Sequence, residues 1–273
     1  MKVAFVSRPR GGVLLVALTL LFVGVLTSLA DQFGTTTALD WQRWTVFSQG
    51  AGVPANTVVE NQSGSSYVKG DVGVWGTGNI NLSATATIDG DLYYRTTGTL
   101  KISGQAKVTG VKHHDAAGDT ILLNSSNEAY MESDQLWAQP ATFGYPSTIN
   151  TGSNMTITGT GHVVLRLRDF ILTGGTFTLV GTSPATTFVF NISRAFSLSG
   201  SARIVLSGIT ASNVIFNVRG GGSVAAISGS AAFQGILLAN YRDVKITGGT
   251  VNGEIVGNRV AISGGATLVH ASP

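Results

Sequence analysis

The sequence of 273 residues contains no cysteine and has few charged residues, which make up 11% of the chain. The missing cysteines exclude a disulfide framework, a thiol nucleophile and any metal site built on cysteine ligands. The formal net charge is +3, but three of the 17 cations, Lys2, Arg8 and Arg10, precede the first acidic residue, Asp31. Beyond Ala30 the charges therefore balance. The clustered positive charge expected of a nucleic-acid-binding protein is missing.

The segment Met1–Ala30 has the three parts of a secretory signal. A basic region ends at Arg10, an apolar run follows, and small residues precede a cleavage point between Ala30 and Asp31. The apolar run is shorter than the roughly 20 residues that a membrane-spanning helix needs. We predict a signal peptide over 1–30 and an exported protein that is secreted or held at the cell envelope. The alternative is an uncleaved signal anchor, which would be the only contact with a membrane.

Hydrophobic residues make up 43% of the chain, so it can bury a core, and its 36 glycines mark frequent turns. One short motif recurs: isoleucine or leucine, then serine or threonine, then glycine. Its seven copies begin at Ile102, Ile157, Leu172, Leu198, Ile227, Ile246 and Ile262. A looser copy is Ile88-Asp89-Gly90-Asp91. Apart from the long gap between the first two of the seven, the copies follow at short intervals, a spacing typical of solenoid proteins.

The motif is interpreted as one corner of a coil. The isoleucine or leucine points inward, the hydroxyl residue points outward, and the glycine makes the turn. Because one coil alone cannot bury its apolar face, stacked coils must pair their strands in parallel. We predict an all-β solenoid over 68–270, after a lead-in or cap over 31–67 and before a tail over 271–273. The alternative is an antiparallel sandwich, which the scarcity of two-residue hairpin turns disfavours.

Residues 115–139 interrupt the pattern of short strands and glycine turns, and they predict a helix that ends before Pro140. Asp119 or Asn124 is the expected N-cap. The apolar residues that would share one face of this helix are Ile121, Leu122, Ala129, Leu136 and Trp137. A helix lying along the solenoid would protect its strands from pairing with other chains.

The order of these short motifs is similar to that of a known family. The stretches that carry the similarity are 70–74, 88–94, 188–218, 235–239 and 251–257. They resemble the bacterial choice-of-anchor A surface domain and, more remotely, the ice-binding-like adhesins. The resemblance implies an exported, irregular right-handed parallel β-helix with one α-helix packed alongside, acting by surface attachment. Many choice-of-anchor proteins end in a sorting tail, and the residues before Pro273 do not resemble one.

An enzyme is the least favoured hypothesis. A β-helix that cleaves polysaccharides would need two facing carboxylates, for which Asp89 and Asp91 are the candidates. The sequence His113-His114-Asp115 lies beside the predicted helix and is interpreted as a structural junction. The glycine run at 219–223 lacks the lysine of a phosphate-binding loop, and no Gly-x-Ser-x-Gly motif marks a strand-to-helix turn. We therefore expect no catalytic residue, no bound metal ion and no cofactor.

Two binding functions remain. The favoured hypothesis is a non-catalytic adhesin or structural protein that binds a polymer or matrix, with Trp75, Tyr93, Tyr94 and Tyr241 available to stack on sugars. The alternative is ice binding, which needs rows of small hydroxyl and methyl groups on a flat strand face. The threonines that are candidates for such rows are Thr85, Thr87, Thr156, Thr158, Thr176 and Thr178. β-Propensity alone also favours threonine at outward strand positions.

Overall fold

The computed structural model describes residues 40–51, 53, 57–144, 146–220 and 222–271. The predicted leader over 1–30 lies outside the described residues. The strands are β1 Val46–Ser48, β2 Val58–Gln62, β3 Tyr67–Lys69, β4 Val72–Val74, β5 Asn79–Leu82, β6 Thr87–Asp89, β7 Leu92–Tyr94, β8 Thr99–Ile102, β9 Lys107–Val108, β10 Lys112–His113, β11 Thr148–Thr151, β12 Met155–Gly159, β13 His162–Leu172, β14 Thr176–Gly181, β15 Thr187–Leu198, β16 Arg203–Ser207, β17 Val214–Val218, β18 Ala225–Ser228, β19 Ala232–Ala239, β20 Val244–Thr247, β21 Thr250–Gly257, β22 Val260–Ser263 and β23 Thr267–Val269. The helix α1 is Ala116–Ala138, and two short 3-10 helices are Asp40–Arg43 and Ala211–Asn213.

Every pairing between described strands is parallel, so the predicted β-solenoid is confirmed and the antiparallel sandwich is wrong. The strands form three faces. Face A contains β2, β5, β8, β11, β18, β20, β22 and the C-terminal parts of β13 and β15. Face B contains β3, β6, β9, β12, β14, β16, β23 and the N-terminal parts of β19 and β21. Face C contains β1, β4, β7, β10, β17 and the remaining parts of the long strands.

The register stacks the described strands into nine coils, whose order along the rod differs from their order in the chain. From one end to the other, coils 1 to 9 comprise residues 148–167, 169–192, 195–218, 225–239, 244–257, 260–269 with 46–48, 58–74, 79–94 and 99–113. Coil 6 is therefore composite, because its face-C strand β1 comes from the segment predicted to be a lead-in. Strand β2 also comes from the segment predicted to be a lead-in, so the strands of the solenoid begin before Val68.

The copy at Ile157 and the looser copy at Ile88 lie on strands of face B and lead toward face C. In the other six copies, the repeated motif ends a strand of face A and makes its corner with face B. Its glycine often has a positive φ, for example +70° at Gly104 and +63° at Gly200. Coil 8 has Leu82-Ser83-Ala84 at this corner, and Ala84 is the non-glycine residue with a positive φ in the described chain, at 59°. The left-handed conformation is unfavourable for a residue with a Cβ atom, so Ala84 is a strained copy of the glycine corner.

The interior is mostly apolar, and a buried polar cluster lies at the junction between coils 6 and 7. In coils 2 to 4 the phenylalanines stack on one another, as Phe190 and Phe216 do with ring centroids 4.7 Å apart. At the junction, Glu60 is fully buried, accepts hydrogen bonds from Ser48 Oγ and Gln62 Nε2, and has a pKa that burial raises to about 7. The place where the two parts of the chain meet thus has hydrogen-bonded polar side chains in the core.

Helix α1 follows coil 9 in the chain and precedes coil 1. Its N-cap is Asp115, whose Oδ1 accepts a hydrogen bond of 2.7 Å from the backbone N–H of Gly118. The expectation of Asp119 or Asn124 as N-cap is wrong, because the helix starts one residue after Asp115 and places both inside it. Of the apolar face predicted for the helix, Leu122, Ala129 and Leu136 are buried, whereas Ile121 and Trp137 are half-buried.

Candidate functional site

Face C is covered by α1 and is not available to a ligand. Three asparagine side chains of the solenoid donate hydrogen bonds to backbone carbonyls of the helix. The bonds run from Asn191 to Leu136 at 2.6 Å, from Asn217 to Ser133 at 3.0 Å and from Asn240 to Ala129 at 2.6 Å. Because carbonyls inside a helix are already paired, these extra bonds hold the helix flat against the strands. Faces A and B remain for function.

Face B of coils 1 to 6 carries small, mostly uncharged side chains in register. We call this set the threonine surface. It consists of Thr156, Thr158, Thr176, Thr178, Val180, Arg203, Val205, Ser207, Ala232, Gln234, Thr250, Asn252, Thr267 and Val269. All of these side chains are exposed or half-buried, and Arg203 is the charged member. The inward positions between them hold buried apolar residues, such as Phe177 and Leu268, which fix the alternation of the strands.

The backbone arranges these groups as a two-dimensional grid. Neighbouring strands lie about 4.8 Å apart, and alternate residues of one strand lie about 6.7 Å apart on the same face. Thr156 and Thr178 are direct register partners across coils 1 and 2. The β-branched side chains are restricted at χ1, so their methyl and hydroxyl groups have few orientations. The threonine surface is therefore a grid in which the threonine and valine side chains are stiff and present methyl and hydroxyl groups.

The structure places the six predicted threonines in three locations. Thr156, Thr158, Thr176 and Thr178 lie together on face B in coils 1 and 2. Thr87 is on the same face but in coil 8. Thr85 lies in the corner between faces A and B, where its hydroxyl donates to the Gly64 carbonyl at 3.0 Å.

Sequence reasoning missed the continuation of this surface through coils 3 to 6, including Thr250 and Thr267. The signal was present, because both residues follow a motif glycine by a few positions, as Thr176 does. Aligning the strands after each corner would have placed Thr176, Thr250, Thr267 and Thr87 in one column along the rod. The irregular spacing of the motif in the chain hides this column.

Face B changes character in coils 7 to 9. We call its outward residues there the charged end of face B; they are Tyr67, Lys69, Thr87, Asp89, Lys107 and Thr109. Asp89 accepts hydrogen bonds from Tyr67 Oη and from Thr109 Oγ1, and the bond from Tyr67 is the main reason that its pKa lies below the ordinary value. The side chains of Tyr67, Asp89 and Thr109 are thus engaged with one another.

Asp89 and Asp91 do not form the paired carboxylates of a catalytic site. Asp91 lies beyond the turn at Gly90, where its Oδ1 accepts the backbone N–H of Val111 at 2.8 Å and its Oδ2 lies 3.2 Å from His113 Nε2. These contacts lower the pKa of Asp91, with the backbone hydrogen bond as the largest cause. A lowered pKa opposes the role of general acid. Within the described residues no group of three or more His, Cys, Asp or Glu side chains could hold a metal ion.

Face A has a shallow depression of about 360 Å³ over coils 4 to 8. Asp243 and Arg259 form an ion pair in it, and Asn81 Nδ2 donates to Asn61 Oδ1 at 3.2 Å. Lys245 adds a further charge to its lining. Face A is thus concave and charged at coils 5 and 6, whereas the outward residues of face B in these two coils are Thr250, Asn252, Thr267 and Val269, which are uncharged.

The aromatic residues considered for sugar binding are engaged with neighbouring side chains. Arg95 lies over the ring of Trp75 at 4.3 Å, and His113 stacks on Tyr93 with centroids 4.0 Å apart. Tyr94 stacks on His114, and Tyr241 contacts both Tyr130 and Arg219. These rings tie adjacent coils or the helix together and do not line a common groove.

The fold and its two free faces define a class of protein: a parallel β-helix with one helix against its side and a long grid of small side chains on another. Residues 27–268 match the Ice-binding-like adhesive domain family, so the chain belongs to that family. The match supports the remoter part of the predicted resemblance, while the narrower choice-of-anchor A assignment stays a prediction. No curated protein matches the sequence.

Solved structures of ice-binding proteins share the fold. The protein from the Antarctic ascomycete Antarctomyces psychrotrophicus has a TM-score of 0.55 at 19% identity, over 88% of this chain and 100% of that one. An ice-binding protein from an Arctic yeast has a TM-score of 0.56 at 18% identity, over 87% and 96% of the two chains. The ice-binding protein 1 domain from Shewanella frigidimarina has a TM-score of 0.55 at 18% identity, over 88% of this chain and 99% of that one. None of the helices in the described part of the chain is long and apolar enough to cross a membrane.

Proposed function

We propose that the protein is a non-catalytic ice-binding protein and that the threonine surface on face B is the part that contacts ice. The observation that carries the proposal is the continuity of this surface through six coils with a single charged residue, Arg203. The family and the solved structures that share the fold support ice over a polymer or matrix as the bound surface.

The chemistry of ice favours such a surface. Ice presents a regular lattice of water molecules that offers hydrogen bonds but no counter-ions. A charged side chain would have to give up strongly bound water without finding a partner, which costs free energy. Threonine hydroxyls can hydrogen-bond to lattice water while the methyl groups fill the spaces between them. The charged depression on face A, with Asp243, Lys245 and Arg259, lacks these properties.

Export fits this role. The predicted leader over 1–30 supports secretion or retention at the cell envelope, where the protein would meet ice outside the cell. If the protein is attached to the cell surface, as the choice-of-anchor A resemblance implies, face B can remain free to contact ice. Detection of the mature N-terminus at Asp31 in culture medium or in a cell-envelope fraction would test export directly.

The experiment is a pair of matched substitutions. Thr178→Tyr places a bulky ring in the threonine surface, and Ser197→Tyr places the same ring at an outward position of face A. We expect Thr178→Tyr to lower thermal hysteresis and ice-recrystallisation inhibition about tenfold, the effect of losing a central contact. Ser197→Tyr should leave both activities within about twofold of the wild-type values.

Wild-type protein that is folded but shows neither activity would contradict ice binding itself. Ice activity that survives Thr178→Tyr and is lost in Ser197→Tyr would move the site to face A. Circular dichroism and thermal unfolding of both variants establish that each remains folded.

A further inference from the structure

The two ends of the rod are finished differently. At the coil 1 end, β11 and β12 each pair with one strand only among the described residues, and the segment after α1 bonds to β13. The backbone N–H groups of Thr142 and Phe143 both donate to the Val164 carbonyl, at 3.0 and 3.2 Å. The core residues Ile149 and Ile157 of coil 1 are 1% and 2% exposed. This end of the core is covered.

The coil 9 end is open. Its strands β8, β9 and β10 pair with β5, β6 and β7 on one side, and no strand in the described part of the chain pairs with their other side. Ile102 is 40% exposed, whereas its register partner Leu82 in coil 8 is fully buried. Val111, in the turn before β10, is 59% exposed. Unpaired edge strands with exposed apolar side chains are a template for pairing with another chain.

Each of these three edge strands carries a lysine: Lys101 on β8, Lys107 on β9 and Lys112 on β10. Lys112 occupies a position that is otherwise reserved for the core. Its register partner is Leu92, which pairs in turn with Val72 and then Val46, and all three are fully buried. A lysine at this inward position makes the end of the core charged where the fold calls for an apolar residue.

The lysines are not neutralised within their own coil. Apart from backbone bonds such as that from the Lys107 N–H to the Ala86 carbonyl, no hydrogen bond or ion pair between described residues involves the side chains of these three lysines. Lys107 lies near enough to Asp89 to help lower its pKa, but Asp89 belongs to coil 8 and is bonded to Tyr67 and Thr109. The charge presented by the open end is therefore positive.

We propose that coil 9 is a lysine-guarded docking edge, which rejects a second copy of this chain and accepts an extended edge strand that carries carboxylates. A contact between the coil 9 ends of two copies is isologous, so it brings the same patch from both molecules together. The lysines of one copy would face those of the other across an antiparallel ladder, where like charges destabilise the pairing. Acidic side chains at the same positions would convert this repulsion into attraction.

The test uses the full protein and a charge-reversed copy of it, K101E/K107E/K112E. Each protein alone should be monomeric by light scattering, because each has an end of one sign. A mixture of the two should form a 1:1 heterodimer whose Kd is at least about tenfold lower than that of the control pair. The heterodimer should weaken as salt is raised, because its charges are near the surface.

The control variant K69E/R203E/K245E makes the same change of charge away from coil 9. If its mixture with wild type associates as strongly, the attraction is non-specific and the proposal is wrong. A mixture of wild type and K101E/K107E/K112E that stays monomeric would also overturn it, provided that both proteins unfold at similar temperatures. A neutral end, K101T/K107T/K112L, is an independent check: it should self-associate through coil 9, and a monomeric, folded variant would contradict the proposal.

Discussion

The threonine surface and the charged end of face B occupy one continuous face with one backbone geometry. In coils 1 to 6 the outward positions hold threonine and other small residues; in coils 7 to 9 they hold Lys69, Asp89 and Lys107. In the charged end, the side chains of Tyr67 and Thr109 both donate hydrogen bonds to Asp89. Coil stacking therefore gives both regions the same backbone grid, and the outward side chains determine which region can contact an external lattice.

The two regions meet at coils 6 and 7. The buried Glu60 at this junction should make the free energy of unfolding of the protein depend on pH. Burial raises the pKa of Glu60 to about 7, above its ordinary value of 4.5. The unfolded chain therefore loses this proton at a lower pH than the folded chain. Stability should fall as the pH rises from about 4.5 to 7 and level off above, by up to about 3 kcal/mol.

Glu60→Gln removes the ionisation and keeps the shape, and Gln62 Oε1, which lacks a hydrogen bond, can accept from the new amide. We expect the variant to be more stable than wild type in urea unfolding at pH 8 and nearly equal to it at pH 4. If the free energy of unfolding of the wild-type protein does not change between these two pH values, the ionisation of Glu60 does not affect its stability.

A lysine placed in each region separates their roles. Thr176 in coil 2 and Thr87 in coil 8 are both half-buried and lie in the same column of face B. Thr176→Lys should lower thermal hysteresis about tenfold, because the ammonium group would lose its water without gaining a partner in ice. Thr87→Lys should change it by less than about twofold. Equal losses would mean that coils 7 to 9 also bind ice and that the two regions do not differ in function.

The glycine corner permits a smaller test of the shared backbone. Ala84 in coil 8 has a φ of 59°, where coil 7 has Gly64 at 66°. Ala84→Gly should relieve the strain and raise the free energy of unfolding by about 1 kcal/mol, whereas Gly64→Ala should lower it by a similar amount. Chemical denaturation of both variants measures the effect, and stabilisation by Gly64→Ala would contradict a common corner. Ice activity should not change in either variant.

Much of the fold could be predicted because each motif encodes its own corner. The apolar residue of Ile246-Thr247-Gly248 points inward, the hydroxyl residue points outward, and the glycine has a φ of +83°. The copy at Leu82-Ser83-Ala84 escaped notice because alanine replaces the glycine. Composite coil 6 could not be predicted, because the pairing of Val46 with Ile255 joins residues far apart in the chain and leaves no local pattern.

The candidate site was only partly predictable for the same reason. Thr156, Thr158, Thr176 and Thr178 stand in recognisable Thr-x-Thr pairs, which is why the sequence pointed to them. Their neighbours in the grid are set by the register between coils of unequal length. That register depends on how many residues each corner and each turn takes, and the motif alone does not specify it.

The most direct test of the threonine surface uses the lack of cysteine in the chain. Single cysteines introduced by Thr156→Cys, Asn252→Cys, Lys69→Cys and Ser197→Cys can each be alkylated without a competing thiol. The measurement is the alkylation rate in an ice slurry relative to that in ice-free solution at the same temperature. We expect slower alkylation in ice at positions 156 and 252 and unchanged rates at 69 and 197. Equal protection at all four positions, or protection at 69 and 197 alone, would contradict it.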